Sequence, residues 1–312
     1  MILTVTMNPA IDLFTEVDSW VFGGEVNRAR RTWRQIGGKG INVSRTLKVL
    51  GMRTSALILA GRDSSSILSA LMAKEPFPIR AVEVIGETRT NIHVINRGLP
   101  DSLKVNQAGA AVPDALQAIL PAFEQQLAGI GMVVLSGSLP RGCPAGAYAQ
   151  LTALAAENRV PVLIDAEGPA LLEAISSKPA IVKFNRKELE ATMGRRLESE
   201  AEVIHAMAHL RIEGAGIVVV TDGGKVGWSV ESTGRTMRFV PPSITPVHTN
   251  GAGDAFTAGV AVGLRWGWDL KDSIRLAMAA GAAQCLNVKG EAMSAEVENL
   301  IGRGVVEVIA EG

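Results

Sequence analysis

Short apolar runs rich in β-branched residues alternate with segments of helical periodicity along most of this chain, and that alternation limits the folds open to it. The runs are residues 2–6, 55–60, 132–135, 160–164, 180–183 and 217–220. Between them, residues 41–50, 65–74, 113–127, 144–157, 186–193 and 201–211 space their apolar positions as helices do. Short runs without polar alternation are what strands covered by helices on both faces look like. The expected fold is therefore α/β, a three-layer α/β/α sandwich around a mostly parallel central sheet. Ligands on such sheets bind beyond the carboxyl ends of the strands.

Two regions break the rhythm. Residues 13–34 and 90–106 show short polar-alternating stretches of the kind that form small antiparallel strands. They are expected to be inserted at about residues 12–35 and 88–107 of a single 1–312 unit. If they pair, they make a lid over the strand ends that excludes water during reaction. The alternative is a simple extension of the sheet. A half-exposed flap leaves an edge or apolar face that dimerisation covers, so a homodimer through the lid is expected. Beyond Gly251, residues 252–266 and 270–286 read as two Ala- and Gly-rich helices able to pack closely.

Composition excludes several classes. With 47% hydrophobic and 20% charged residues, the chain has the makings of a large core rather than of a disordered region. Its 31 basic residues balance 31 acidic ones, which argues against a nucleic-acid or anionic-membrane surface, so any anion site must be local. Cys143 and Cys285 are too few for a disulfide framework or a four-cysteine zinc site, and no stretch reads as a membrane span or signal sequence. A cytoplasmic protein follows by elimination.

Two glycine-rich segments carry the chemistry. In Asn250-Gly251-Ala252-Gly253-Asp254-Ala255-Phe256, small residues and a carboxylate sit where a helix begins. Free N–H groups of a first helical turn can hold the charge of a transferring phosphate, and a carboxylate there can take the proton of an attacking hydroxyl. The competing reading is a helix packed tightly against a strand. The second segment, Ile36-Gly37-Gly38-Lys39-Gly40-Ile41-Asn42-Val43, is neither a Walker A loop nor a Gly-x-Gly-x-x-Gly fingerprint. Exposed backbone at Gly37 and Gly38, with Asn42 able to donate and accept, suits polyol hydroxyls; a tight turn is the alternative.

These segments join others in a recognisable order. Thr6-Met7-Asn8-Pro9-Ala10-Ile11-Asp12, Gly24-Glu25-Val26-Asn27-Arg28, the Gly37 to Val43 run, Ser136-Gly137-Ser138-Leu139-Pro140, Val182-Lys183-Phe184-Asn185-Arg186-Lys187-Glu188-Leu189 and Gly251-Ala252-Gly253-Asp254 together resemble the phosphofructokinase-B branch of the ribokinase-like carbohydrate kinases. Within it they are most similar to the 1-phosphofructokinase and tagatose-6-phosphate kinase group, with the minor 6-phosphofructokinases near.

The resemblance implies a magnesium- and ATP-dependent kinase of a ketohexose monophosphate. Alternatives are a kinase of an unphosphorylated sugar or nucleoside, and a non-catalytic sugar-phosphate sensor. It implies Asp254 as base, and Gly251, Ala252 and Gly253 as the anion hole. Asp12, Gly37, Gly38, Lys39, Asn42 and Ser138 would face the acceptor; Lys183, Asn185, Glu188, Thr221, Gly223 and Asn287 would face the nucleotide. The resemblance further implies that Asn185 and Glu188, matching the family's Asn-x-x-Glu element, organise magnesium through water, while the same spacing reads equally as a helix capping box.

A phosphorylated acceptor needs a basic subsite, for which arginine is suited. Arg89, in Thr88-Arg89-Thr90-Asn91, resembles the family's flap arginine and ranks first, before Arg28 and Arg141. Phe184 departs from the usual proline, and Asp222 is unexpected in the turn from Thr221 to Gly227. His205 and His209 share helical spacing but have no third ligand in view, Ser138 lacks the setting of a hydrolase nucleophile, and Trp266 and Trp268 read as packing.

Overall fold

The computed structural model describes residues 1–19, 26–97, 102–286 and 290–312. In chain order the elements begin with β1 (Ile2–Thr6), β2 (Ala10–Val17), β3 (Arg31–Gly37), α1 (Lys39–Val49), β4 (Thr54–Gly61), α2 (Ser65–Met72) and β5 (Ile79–Val84). Then come β6 (Thr90–Asn96), β7 (Ser102–Asn106), α3 (Ala115–Gln126), β8 (Met132–Ser136), α4 (Ala147–Glu157), β9 (Val162–Asp165), α5 (Pro169–Ile175) and β10 (Ile181–Asn185). The chain continues through α6 (Arg186–Met193), α7 (Glu200–Ile212), β11 (Ile217–Thr221), β12 (Gly227–Val230) and β13 (Thr236–Val240). It ends with α8 (Ala252–Arg265), α9 (Leu270–Cys285), α10 (Glu291–Leu300) and β14 (Val305–Ala310).

Among the described residues, ten strands form the large sheet in the order β14-β13-β12-β11-β10-β9-β8-β1-β4-β5. The six predicted strands are all present and pair in parallel, as their unbroken burial requires. The sequence reading omitted four strands. β5 is a parallel edge strand whose Arg80 and Glu83 interrupt its apolar pattern, and β12, β13 and β14 add an antiparallel end of short segments. The short helices α5 and α10 were also not anticipated.

Alternation along the strands divides the core between two faces. Leu3, Val5, Leu135, Ile164, Val182 and Val220 meet α3 to α7 on one side. Ile2, Val134, Leu163, Ile181 and Val219 meet α1, α8, α9 and α10 on the other. Fully buried side chains such as Phe123, Leu47 and Ile274 each contribute about 1.5–3 kcal/mol relative to exposure. α8 and α9 lie so close that a Cβ at Gly259 would stand 2.4 Å from the Ala277 Cα, which keeps the start of α8 firmly placed.

The interrupting segments form a second sheet, β3-β2-β6-β7. Its two hairpins are antiparallel as expected, but they join through β2 and β6, which run parallel, with Asp12 beside Asn91 and Phe14 beside His93. This departs from an all-antiparallel flap, because β2 and β6 both leave the large sheet's carboxyl edge in the same direction. Ile11 and Ile36 pack with Leu68 and Leu71 of α2 and anchor the base of this sheet. Among the described residues, no helix is long and apolar enough to cross a membrane.

Candidate active site

β1 ends at Thr6, and after three intervening residues the chain enters β2, so the smaller sheet rises from the carboxyl edge of the large one. β3 returns to the same point, with Gly37 opposite Ala10. Gly38 then turns the chain into α1 at φ +130°, a conformation that a side chain would strain. A Cβ on Gly37 would lie 2.2 Å from an Asp12 carboxylate oxygen, so the backbone here passes directly against Asp12. Asp12 Oδ1 accepts a hydrogen bond from Asn91 Nδ2 at 2.8 Å and lies 3.8 Å from His93 Nε2. His93 stacks on Phe14 (4.5 Å between ring centres), which stacks in turn on Trp33 (5.2 Å). Asp12, Gly37 and Gly38 are thus gathered at one place.

Opposite them, α8 begins. Gly251 caps it in the left-handed region (φ 76°) with no side-chain hydrogen bond, and its carbonyl accepts the first helical bond, from the Ala255 N–H at 2.8 Å. Ala252 N–H reaches Thr249 O only at 3.4 Å. The N–H groups of Gly251, Gly253 and Asp254 have no acceptor among the described residues, as the start of a helix leaves them. Gln284 Nε2 holds the preceding loop by donating to Asn250 O at 3.2 Å. Asp254, only 7% exposed, accepts from Asn42 Nδ2 at 2.8 Å. Burial, then repulsion from Asp165, pushes its carboxyl up to about 6, against the opposing pull of the Asn42 bond, Lys39 and Lys183.

Asp165 was missed in the sequence reading. It closes β9 and is fully buried, with Oδ1 3.2 Å from Lys183 Nζ and 3.6 Å from Lys39 Nζ, and Oδ2 2.7 Å from the Thr257 hydroxyl. Burial raises the carboxyl's proton affinity, but Lys183, Lys39 and the Thr257 bond outweigh it and hold the group below the ordinary carboxylate range. Asp165 in turn raises Lys39, against burial and with the help of Glu188 and Asp254. Lys39 is thereby held as a charged ammonium among Asp165, Glu188 and Asp254. Position at the carboxyl end of a parallel strand was the signal available for Asp165; Thr257, one helical turn past Asp254, gave none on its own.

At the start of α6 the capping-box reading holds. Asn185 Oδ1 accepts from Glu188 N–H at 2.9 Å, and Glu188 Oε2 accepts from Asn185 N–H at 2.7 Å. Glu188 Oε1 is turned instead toward Lys39 Nζ, 3.5 Å away. One hard carboxylate oxygen outside the cap suits magnesium, which takes few protein ligands beside phosphates and water. Thr221 ends β11, two positions before Gly223, which adopts φ 58° with open space around it. Asp222 faces Arg186 at 3.7 Å, so its charge is compensated. Phe184 is fully buried in the core and removes no polar group from the site. Asn287 lies outside the described residues, as do Gly24 and Glu25.

Three of the five Arg89 donors are engaged with backbone carbonyls, those of Asn8 (3.0 Å), Pro9 (3.3 Å) and Gln107 (3.5 Å). Arg89 thereby ties the β1–β2 turn to the exit of β7, and its other two N–H groups have no acceptor among the described residues. Ser138, just past β8, accepts from Asn8 Nδ2 at 3.2 Å. Arg141 and Arg28 are exposed, and Arg28 makes no polar contact with these groups. Lys104, opposite His93 in the smaller sheet, reaches Asn250 Oδ1 and bridges that sheet to the loop before α8; the sequence reading did not single it out. His205 and His209 are exposed, with Glu213 3.8 Å from His209 Nε2. Among the described residues no three metal-ligating side chains cluster. Trp266 and Trp268 pack on each other, ring centres 5.1 Å apart.

Comparison with known proteins agrees with this geometry. The family described as pfkB family carbohydrate kinase matches residues 5–296. The chain is 35% identical over 286 residues to an ATP-dependent 6-phosphofructokinase isozyme 2 of Mycobacterium tuberculosis (strain ATCC 25618 / H37Rv), covering 91% of this chain and 84% of the relative. It is also 35% identical over 281 residues to a 1-phosphofructokinase of Rhodobacter capsulatus, covering 89% and 88%. The phosphofructokinase-2 of Escherichia coli, solved in complex with substrates and products, superposes with a TM-score of 0.84 at 29% identity, covering 96% of this chain and 98% of the other.

Proposed function

The chain belongs to the pfkB family of carbohydrate kinases, and from that premise we propose that it transfers the γ-phosphate of ATP to a hydroxyl of a ketohexose monophosphate, in the manner of a 1-phosphofructokinase. The observation that carries the proposal is the placing of a buried Asp254, held by Asn42, beside the open amides that begin α8.

In this reading the acceptor lies between Asp12, the Gly37-Gly38 backbone and α8. Asp254 takes the proton of the attacking hydroxyl, and the N–H groups of Gly251, Ala252 and Gly253 hold the charge that develops on the transferring group. Lys183 adds positive charge on the donor side, and so does Lys39, which was expected at the acceptor but is drawn to Asp165 and Glu188. Glu188 Oε1 is the protein oxygen that would hold magnesium, through water, and the metal would supply positive charge to the phosphate oxygens. Asn185 acts on that oxygen indirectly, by fixing Glu188 in the cap.

The acceptor's existing phosphate would meet the two remaining N–H groups of Arg89, with Lys104 and Arg141 as further cations. Arg28 contributes less, since nothing draws it toward the cleft. The smaller sheet acts as a lid on one catalytic unit. Its outer face carries Ile92, Leu103 and Val105, all exposed, which supports a homodimer formed through the lid. Two free cysteines and dependence on ATP suit the cytoplasm.

An acceptor panel tests the reading. Fructose 1-phosphate should give the highest kcat/KM in an ADP-release assay, with fructose and ribose lower by at least about a hundredfold. Equal turnover of the unphosphorylated sugars would contradict the phosphate subsite. Preference for fructose 6-phosphate or a tagatose phosphate would keep the chemistry and change the acceptor, as the 6-phosphofructokinase relative makes conceivable.

A further inference from the structure

Asn42 is a carboxamide with one polar end against Asp254, and its other end is occupied too. Arg45, one helical turn further along α1, donates from Nη1 to Asn42 Oδ1 at 2.9 Å. The same guanidinium makes a two-pronged contact with Glu75, Nε to Oε2 at 3.0 Å and Nη2 to Oε1 at 2.5 Å. Nη2 also donates to Ile36 O at 2.6 Å, directly before the Gly37-Gly38 turn. Glu75 follows α2, and its side chain is 10% exposed. One side chain therefore links α1, the segment after α2 and the end of β3.

We infer that Arg45 is a positioning residue that holds the Asn42 carboxamide turned toward the catalytic carboxylate, with Glu75 holding Arg45 in turn. The argument is one of donor and acceptor sense. A guanidinium has only donors, so it can donate to the oxygen end of the amide and has nothing to offer the nitrogen end. With the oxygen fixed on Arg45, the amide nitrogen must face Asp254, whose ionised oxygens can only accept. Were the amide reversed, its oxygen would oppose a carboxylate and its N–H groups a guanidinium, two repulsions at once. The bidentate contact with Glu75 removes the rotameric freedom that would let Arg45 leave. Held in this way, the Asp254 oxygen stays within reach of an acceptor hydroxyl, and a small loss of placement there costs a large factor in rate.

This inference rests on the kinase reading above, and its test separates the two. Purified wild-type, Arg45→Met, Asn42→Ala and double-variant proteins are assayed with magnesium, ATP and fructose 1-phosphate. Arg45→Met keeps the aliphatic stem and loses the donors; kcat should fall about tenfold or more while KM for ATP stays within about twofold. In the Asn42→Ala background the same change should alter kcat by less than about twofold, because the group it acts through is gone. Unchanged kcat in the single variant, or an equal loss in both backgrounds, would overturn the inference. If Arg45→Met does not fold, Glu75→Ala takes its place in the same cycle with the same criteria. Absence of turnover in the wild-type protein would count against the kinase reading instead. Crystal structures then decide the present point: without Arg45 the Asn42 amide should leave hydrogen-bond reach of Asp254, and an unmoved amide would refute its positioning role.

Discussion

Asp254 is buried beside a second carboxylate, so the charge that the proposed base role requires is held at a cost. Its carboxyl is raised to about 6 from an ordinary value of 3.8, first by burial and then by Asp165. As a base it must be ionised, so kcat/KM should fall with decreasing pH through about 6, by roughly tenfold per unit below that point. A profile that stays flat to pH 4.5 would contradict the assignment. The same shift has a sign for stability. A carboxyl that binds its proton more tightly folded than unfolded favours folding at low pH and loses that contribution as pH rises through the folded value. Asp254→Asn removes the buried charge, so at pH 7.5 it should be more stable to urea unfolding than the wild type, by a margin on the order of 2 to 3 kcal/mol. That margin should shrink as pH falls through about 6 and vanish below about 4. An asparagine variant less stable at pH 7.5 would show that its partners depend on the charge.

At the scale of elements, the reading of the sequence succeeded where one physical signal dominated. Strands buried on both faces, such as β1 and β10, carry unbroken apolar runs, and the glycines at Gly37, Gly38 and Gly251 mark the turns that open α1 and α8. It did less well where the signal was divided: β12 has four residues, β5 alternates charge on an edge, and no local feature shows that β2 and β6 pair in parallel. Asp165 was passed over because one acid after an apolar run looks like a strand end until Lys183, Lys39 and Thr257 are folded around it. The opening of α6 was left between cap and metal site, and the reciprocal bonds assign Asn185 to the cap. Asn185→Ala should therefore cost about 1 kcal/mol in urea unfolding, whereas Asn185→Ser, which still caps, should lose far less and keep the magnesium requirement within about twofold. A sharp rise in the magnesium needed by the serine variant would make Asn185 a direct participant.

In the whole molecule, the large sheet and its helices present fixed groups along one edge, and the smaller sheet supplies Asp12, Asn91 and Lys104 from above. The side of that sheet turned away from the cleft carries Leu103, 53% exposed, and Val105, 51% exposed, more apolar surface than an isolated flap needs. If the proposed homodimer forms through this face, Leu103→Glu should raise its dissociation constant by at least about tenfold in sedimentation equilibrium, and an unaltered association, or a monomeric wild type, would contradict the proposal. On the proposed reading both substrates meet groups spread over the two sheets, yet transfer depends on a single acid. The most direct test compares Asp254→Ala with the wild type, measuring single-turnover ADP formation with fructose 1-phosphate and, by calorimetry, affinity for the sugar phosphate. The rate should fall at least about a thousandfold while affinity changes only a few-fold; a variant that transfers phosphate at close to the wild-type rate would contradict the account.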